Sequence, residues 1–451
     1  MTFLINDFQS SIIEPERKIP VCAEADVIVV GGGPAGVAAA VSAARNQCKT
    51  ILIERYGHLG GMATGGLVIL IPHLSDGSKQ VQIQGINQEW LDRLDKQGGA
   101  LHPPSDAIGS TDVKTLNKWS LYFACVVSGR IRQSVYVEPE ILKCVMSDMV
   151  NESGVQLALH SWGARAWMKD GRVAGVVFES KSGRMAVAGK MVIDCTGDGD
   201  IFASAGAEYE MECGPDIRSS MMALVFRLGN TDFLEFARWR DANPEAWKTK
   251  MQEMNQLAGF KVLPLPSARN DVVWINNWLP GGNCLDINDL TNVETKVRQV
   301  MPVLHHYMKQ NIPGFGNCFI FDTAAQLGTR GSRRLKGLRR LTMADFKAAK
   351  TYQDTVAVFP SIFPDKIGSV IHFPYRAMVP ETVNGVIAAG RCFSSSLQAN
   401  DMINLIPHCA AMGEAAGCAA AIALQSGVEA RDVDVRKVRS TLIQQGVYLP
   451  E

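Results

Sequence analysis

What the chain lacks narrows it first. None of its 11 cysteines falls in a Cys-x-x-Cys pair, which removes the usual zinc and iron–sulfur frameworks. Their odd, scattered set suits a reducing compartment better than a disulfide scaffold. Neither charge is in excess. Lys and Arg number 45 and so do Asp and Glu, leaving no field to gather nucleic acid or an anionic membrane. No apolar run has the length of a membrane span, and the longest helical one, Cys409 to Leu424, is interrupted by Glu414 and rich in Ala and Gly. Residues 1 to 24 carry Asp7, Glu14, Glu16, Arg17 and Lys18 and no apolar signal core. Internal repeats, low-complexity tracts and long charge blocks are also missing. The expectation is a soluble, cytoplasmic chain of two or three lobes, and its 451 residues suffice for a core without staples. The composition leaves a homo-oligomer open.

Against these absences stands one dense stretch, Asp26-Val-Ile-Val-Val-Gly-Gly-Gly-Pro-Ala-Gly36. It reads as a strand ending in a glycine turn and opening a helix of small residues, Val37 to Ala44. A second strand, Thr50 to Ile53, follows and ends at an acid, Glu54. That order gives a Gly-x-Gly-x-x-Gly motif its meaning. Gly31 allows the tight turn, Gly33 lets a pyrophosphate approach the backbone, and Gly36 lets the helix pack on the sheet. Free amides at the helix start suit phosphates. Glu54 is placed to accept hydrogen bonds from an adenosine ribose. A dinucleotide site is the expectation. The next loop, Leu59-Gly-Gly-Met-Ala-Thr-Gly-Gly66, holds four glycines in eight residues and exposes backbone to a flat ligand, which favours FAD over NAD.

Further along, Ile86 to Leu94 has helical spacing and Gln97 to Ser110 reads as a polar loop. Val135 to Val137 reads as a strand, and Glu138-Pro-Glu140 as a helix start with Pro in its first turn. From Val155 to Ile193 short strands alternate with the hairpin signals Lys169-Asp-Gly-Arg172 and Ser180-Lys-Ser-Gly183. Residues 208–345 are less regular, contain Trp239, Trp247, Trp274, Trp278 and a helical Val293 to Met308, and are the candidate substrate lobe. Gly385 to Gly390 then reads as a buried strand meeting a glycine turn, and Pro407 to Gln425 as a small-residue helix.

Five segments in order resemble the FAD-dependent oxidoreductase family, of glutathione-reductase-like FAD fold, with heterodisulfide reductase A subunits and fumarate reductase flavoproteins as more distant relatives. They are Asp26 to Glu54, Leu59 to Gly66, Asp194-Cys-Thr-Gly-Asp-Gly-Asp200, Gly328-Thr-Arg-Gly-Ser-Arg-Arg334, and Ala389-Gly-Arg391 through Gly417. The resemblance implies an α/β fold. Its core would be a Rossmann-like FAD/NAD(P)-binding domain (three layers, a parallel sheet plus a β-meander), discontinuous over 1–207 and 346–451. A mixed α+β substrate lobe, 208–345, would be inserted. Beyond Gly31, Gly33, Gly36 and Glu54 it implies FAD contacts from Pro34, Ala35, Arg55, Gly60, Gly61, Met62, Ala63, Thr64, Ala164, Thr196, Gly197, Asp198, Gly390, Arg391, Met402 and Ile403. It also implies that the helix near Pro407 points its N-terminus at the flavin pyrimidine edge. Its unpaired N–H groups would stabilise negative charge there.

Metal is not expected: Asp194, Asp198 and Asp200 mimic a calcium loop, but Cys195 and Thr196 add no hard ligand. In the run Arg330, Arg333, Arg334, Lys336, Arg339, Arg340, the first three are expected to be structural or near the cofactor and the rest solvated. Many relatives place an arginine where this chain has Asn404, so its substrate is expected to be neutral or differently anchored. His372, at a strand end, and His408, at the helix start, are the candidate bases. His58 has the wrong spacing for a covalent histidyl-flavin, and His305 and His306 read as surface residues. The expected activity is hydride transfer between a small organic metabolite and flavin N5, with oxygen, a quinone or a redox partner as second substrate. Non-redox flavin chemistry, or FAD-stabilised metabolite binding without turnover, is the alternative.

Overall fold

A computed structural model describes residues 11–78, 80–360 and 370–450. Asp7 and the rest of residues 1–10, part of the N-terminal stretch without a signal core, lie outside the described residues, as do 361–369 of the second expected FAD-binding segment.

Strand β1 (Val21–Val30) ends in four consecutive buried residues, Val27 to Val30, as a strand covered on both faces requires. It pairs in parallel with β2 (Thr50–Ile53) on one side and with Gly183–Asp194 on the other. These belong to a seven-stranded sheet ordered Gln156–Ala158, β2, β1, Gly183–Asp194, Arg172–Ser180, Trp162–Lys169, with Val386–Ala388 also paired to Gly183–Asp194. Gly183–Asp194 therefore does two jobs. Its start closes an antiparallel meander, and its end lies parallel between β1 and Val386–Ala388. The hairpin read at Lys169–Arg172 forms with Asp170 at φ 50° and Gly171 at φ 76°, both in the left-handed region that a two-residue primed turn needs.

Two helices of small residues, α1 (Pro34–Arg45) and Ile406–Ser426, cross in backbone contact beside this sheet. A Cβ on Gly413 would lie 2.0 Å from the Ala35 carbonyl oxygen, and one on Gly417 2.3 Å from that of Ala39. Ser42 Oγ donates to the Glu414 carbonyl at 2.8 Å. Among the described residues no single helix is long and apolar enough to cross a membrane. Leu397–Ile403 and Ile406–Ser426 reach that length and composition only together, across a 96° bend.

Within 208–345, a four-stranded antiparallel sheet runs Lys261–Pro266, Val272–Trp278, Phe226–Gly229, Phe319–Thr323. Arg227, with 2% of its side chain exposed, pairs with Asp322 and with Glu138, tying this sheet to the start of the Pro139–Glu152 helix. Trp239 and Trp247 meet edge to face at 6.3 Å, the latter also against Phe236, so half of the tryptophan set serves packing. The expected Val293–Met308 helix begins earlier, at Ile287, because the Asp286 side chain caps it by accepting from the Asn288 and Asp289 amides. The stretch read as a loop at Gln97–Ser110 contains a short strand, Ala100–Leu101, paired to Val137 and Tyr136. His305 is half-buried with Nε2 2.9 Å from the Cys318 carbonyl, unlike the exposed His306.

Candidate active site

Four parallel strands end together: Val30 pairs with Ile53 and with Asp194, and Asp194 with Ala388. The chain leaves this edge in different directions, which opens a crevice at the carboxyl ends. Gly31 turns there at φ +97°, its N–H donating to Ile53 at 2.8 Å, and a Cβ on it would meet the Cys195 carbonyl oxygen at 2.4 Å. A Cβ on Gly36 would stand 1.7 Å from the Gly31 carbonyl oxygen, so the turn closes only with glycine at both positions. At Gly33 a Cβ would touch nothing within 4 Å. That position borders open space, beside the first-turn amides of α1 that have no partner inside the helix.

Glu54 is buried, and its two oxygens accept from the Gly32 and Tyr56 amides. Burial raises its pKa, while these donors pull it back down. A carboxylate offers about four acceptor positions, so the two amide bonds leave capacity for hydroxyls of a ligand. Glu54 thus also fastens the glycine turn, a role its spacing alone did not suggest.

The second glycine loop sits against the first. Gly60 N–H donates to the Gly32 carbonyl at 2.8 Å, and a Cβ on Gly61 would come within 2.9 Å of Gly33 Cα. Thr64 Oγ1 donates to the Leu59 carbonyl from a fully buried position. His58 stacks on Tyr56 at 5.5 Å behind this loop. From the third segment, buried Asp194 accepts from Thr196 Oγ1 at 2.7 Å and from the Ile201 and Phe202 amides at 2.9 Å, capping the Asp200–Ser204 helix. Its carboxyl is pushed up to about 6 by burial. Asp198 pairs with Arg391 at 2.7 Å, which holds its pKa down, and also accepts from Ser332 Oγ. Asp200 pairs with Arg333 at 2.9 Å. The three carboxylates are spent on a cap and two ion pairs. Among the described residues no cluster of metal-ligating side chains is present.

These parts border a cavity of about 760 Å³. Of the expected cofactor residues, Gly31, Gly33, Pro34, Ala35, Glu54, Arg55, Gly61, Met62, Thr196, Gly197, Gly390, Arg391 and Met402 line it. Gly36, Gly60, Ala63, Thr64, Ala164, Asp198 and Ile403 stand outside that lining; Gly36, Thr64 and Asp198 brace residues that form it. The lining also carries apolar side chains, among them Phe123, Val127, Leu263, Leu265, Trp274 and Trp278. Asn404 and His408 also line the cavity. The Asn404 amide donates to the Arg330 carbonyl at 3.2 Å, holding two segments together. His408 is fully buried against Phe359 at 4.5 Å, neither ring nitrogen has a partner, and burial pushes its pKa down to about 3. His372 lies outside the lining, on the two-stranded ladder with Thr355–Pro360, its Nδ1 3.4 Å from Thr355 Oγ1; pairing rather than cavity exposure sets its place.

In the basic run, Arg334 is buried against Glu212, whereas Lys336 and Arg340 pair with Glu208 and Glu210 at the surface. Arg330 lines the cavity and has no ion-pair partner among the described residues. Two lining residues had no sequence signal: His73, which follows Leu70–Ile71, and Arg132, which follows Arg130–Ile131. No chemical motif surrounds either: His73 follows a strand paired to the distant Val135–Tyr136, and Arg132 follows the local Val126–Ile131 hairpin.

A family model described as FAD dependent oxidoreductase matches residues 26–362 and 367–442. The chain belongs to this family. It is an FAD-dependent oxidoreductase, and FAD is its cofactor. Among curated proteins, digeranylgeranylglycerophospholipid reductase 1 of Methanopyrus kandleri is 26% identical over 193 residues, 42% of this chain and 44% of that protein. The match thus spans less than half of that relative's length. Among solved structures, a geranylgeranyl bacteriochlorophyll reductase-like protein of Thermoplasma acidophilum aligns at 15% identity and TM-score 0.47, covering 94% of this chain and 84% of the other. The p-nitrophenol 4-monooxygenase of Pseudomonas putida aligns at 12% identity and TM-score 0.46, covering 93% and 84%.

The residues present fit FAD. Open space at Gly33 would admit a pyrophosphate to the backbone, Glu54 has acceptor capacity that ribose hydroxyls would use, and the same cavity lining includes the first turn of the Ile406–Ser426 helix. Four of its lining residues, Leu405, Ile406, His408 and Cys409, come from that helix start.

Proposed function

We propose that this oxidoreductase moves a hydride between a small organic substrate and its flavin inside the 760 Å³ cavity. The supporting observation is the continuity of that one cavity. Its lining combines glycine turns with apolar side chains, and an unpartnered, fully buried imidazole, His408, is part of it. Residues 1–207 and 346–451 form the FAD-binding part in this reading. Residues 208–345 supply the Leu263, Leu265 and Trp274 wall of the substrate half, and Phe123 and Val127 come from the earlier segment.

Gly31, Gly33 and the α1 amides would hold the pyrophosphate, Glu54 a ribose, and Gly61, Met62, Gly390 and Arg391 the middle of the cofactor. Bound FAD supplies a two-electron acceptor at N5. The protein's own part is to position the substrate against the apolar wall, exclude water and take a proton. His408 is kept neutral by burial, which also weakens it as a base, so it would take the proton of a substrate O–H or N–H only where the bound substrate offsets that burial. Asn404 fixes the Arg330 segment beside that helix start. Oxygen, a quinone or a separate redox partner completes the cycle, and the free cysteines and balanced charge favour a cytoplasmic setting.

Anaerobic mixing of the holoenzyme with a metabolite panel, followed at the flavin visible band, tests the reading. Bleaching by a substrate upholds it. Product formed without net bleaching would assign non-redox chemistry, and neither outcome across the panel would leave a metabolite-binding flavoprotein.

A further inference from the structure

We propose that Arg132, His73 and His408 form the anchor for one carboxylate, so that the substrate is an apolar monocarboxylate. This rests on the cavity being the substrate site of a flavin oxidoreductase and adds the class of molecule it takes.

The three side chains reach the cavity from separate elements: the residue after the Arg130–Ile131 strand, the loop after Leu70–Ile71, and the first turn of Ile406–Ser426. His73 is set there by a left-handed backbone, φ +58°, with its N–H donating to Ser134 Oγ at 3.2 Å. Arg132 is 4% exposed. Arg132 Nε, His73 Nδ1 and both ring nitrogens of His408 are buried without a hydrogen-bond partner. Buried polar groups are nearly always partnered, so unpartnered nitrogens on three residues that share one cavity lining leave room there for a ligand that accepts hydrogen bonds. The groups also feel one another: the Arg132 charge adds to the burial that lowers His73 to about 4, and His73 adds to the burial that lowers His408.

Charge accounting selects the ligand. Both imidazoles are neutral near pH 7, leaving one guanidinium charge. Three of the other four guanidinium groups on the lining have an ion-pair partner or a ring on each side. Arg391 has Asp198 at 2.7 Å, Arg218 has Asp401, and Arg55 lies between the Tyr56 and Trp162 rings at 4.9 and 5.0 Å. Arg330 stands over Trp278 at 5.9 Å, within the field of Asp401. Arg132 has no ion pair among the described residues, and burial lowers its pKa with only the field of Asp76 opposing. A lone guanidinium fork flanked by neutral imidazole N–H groups matches the geometry and single charge of a carboxylate. The Leu70, Phe123 and Val127 side chains on the same lining suit an aliphatic or aromatic body. The FAD phosphates belong at the α1 amides, where Gly33 leaves room, and do not need this charge.

The test is calorimetric titration of the FAD-loaded enzyme with phenylacetate and with octanoate, each against its primary amide. The acid should bind at least about tenfold more tightly than the amide, the range of one charged hydrogen-bonded contact. In Arg132→Met the preference should fall to near unity with FAD content retained, and in His73→Phe it should shrink. Equal or tighter binding of the amides overturns the anchor. So does a preference that survives Arg132→Met, or one that collapses in Arg330→Met instead. Should Arg132→Met fail to fold, the wild-type ratio alone decides. Neutral compounds that bleach the flavin while acids fail to bind would sink the anchor and leave hydride transfer standing. Arg132-dependent acid binding with no bleaching by any compound would do the reverse.

Discussion

The two halves of the cavity are made of different material. The glycine-lined half is mostly backbone: Gly31, Gly36, Gly60 and Gly61 bring main chain into contact with main chain, and α1 meets the Ile406–Ser426 helix through Gly413 and Gly417. The rest of the lining is mostly side chain, assembled from Phe123, Arg132, Leu263, Trp274 and other residues of separate segments. Backbone surfaces depend on where side chains are missing, which a short local pattern can encode. Side-chain surfaces depend on which distant positions converge.

If that contrast is right, the glycine-lined half should have few critical side chains, and the most critical is the Arg391–Asp198 pair, whose members are 14% and 10% exposed. Arg391→Met leaves Asp198 charged, buried and served only by Ser332 and the Cys284 thiol, so unfolding in urea should show a loss of about 3–5 kcal/mol. A loss under about 1 kcal/mol would mean the half stands on backbone alone.

Gly36→Ala attacks the backbone contact itself. The added carbon meets the Gly31 carbonyl oxygen at 1.7 Å, and overpacking of this kind costs about 1–3 kcal/mol or more. The purified protein should carry several-fold less flavin per chain than wild type. Full flavin content would break the account of the turn.

Glu414 is the exception within this helix layer, a carboxyl pushed up to about 8 by burial while accepting from the Ile86 amide at 3.0 Å. Between its unfolded pKa, about 4.5, and its folded one, the native state binds the extra proton. Stability should therefore fall as pH rises through this window, by about 1.4 kcal/mol per pH unit. His73 and His408 are depressed when folded, so they oppose this slope only below pH 6.5. Denaturant midpoints from pH 6.5 to 8 should decline for wild type and stay nearly level for Glu414→Gln. Parallel slopes would contradict the burial of that carboxyl.

The smallest effect should come from His372→Gln. It lies outside the cavity lining, so kcat/KM for any substrate that bleaches the flavin should change by less than about twofold. A larger loss would extend the site to the Val370–Pro374 strand.

The same contrast explains what the sequence made legible. Strand, glycine turn, helix, strand and acid lie within Asp26–Glu54, and the hairpins and small-residue helix are equally local, so the α/β architecture could be read directly. The double duty of Gly183–Asp194, antiparallel at one end and parallel at the other, could not, because it depends on Val386–Ala388 nearly two hundred positions later. Asp286 moved a helix start that apolar spacing had placed further on. Ranking histidines by neighbouring residues put His372 and His408 on equal terms, yet burial and pairing separated them. His73 follows a short strand whose partner, Val135–Tyr136, is distant in sequence, and Arg132 follows a local hairpin, Val126–Ile131, that says nothing of the cavity it reaches.

The most direct test of a single site spanning both halves is anaerobic rapid mixing of the holoenzyme with apolar 2-hydroxy- and 2-amino-monocarboxylates bearing hydrogen or deuterium at carbon 2. The account predicts bleaching of the flavin band by at least one of them. That bleaching should be slowed by deuterium and slowed again in His408→Phe at unchanged flavin content. Bleaching at the same rate in His408→Phe, or with no dependence on the isotope, would contradict it.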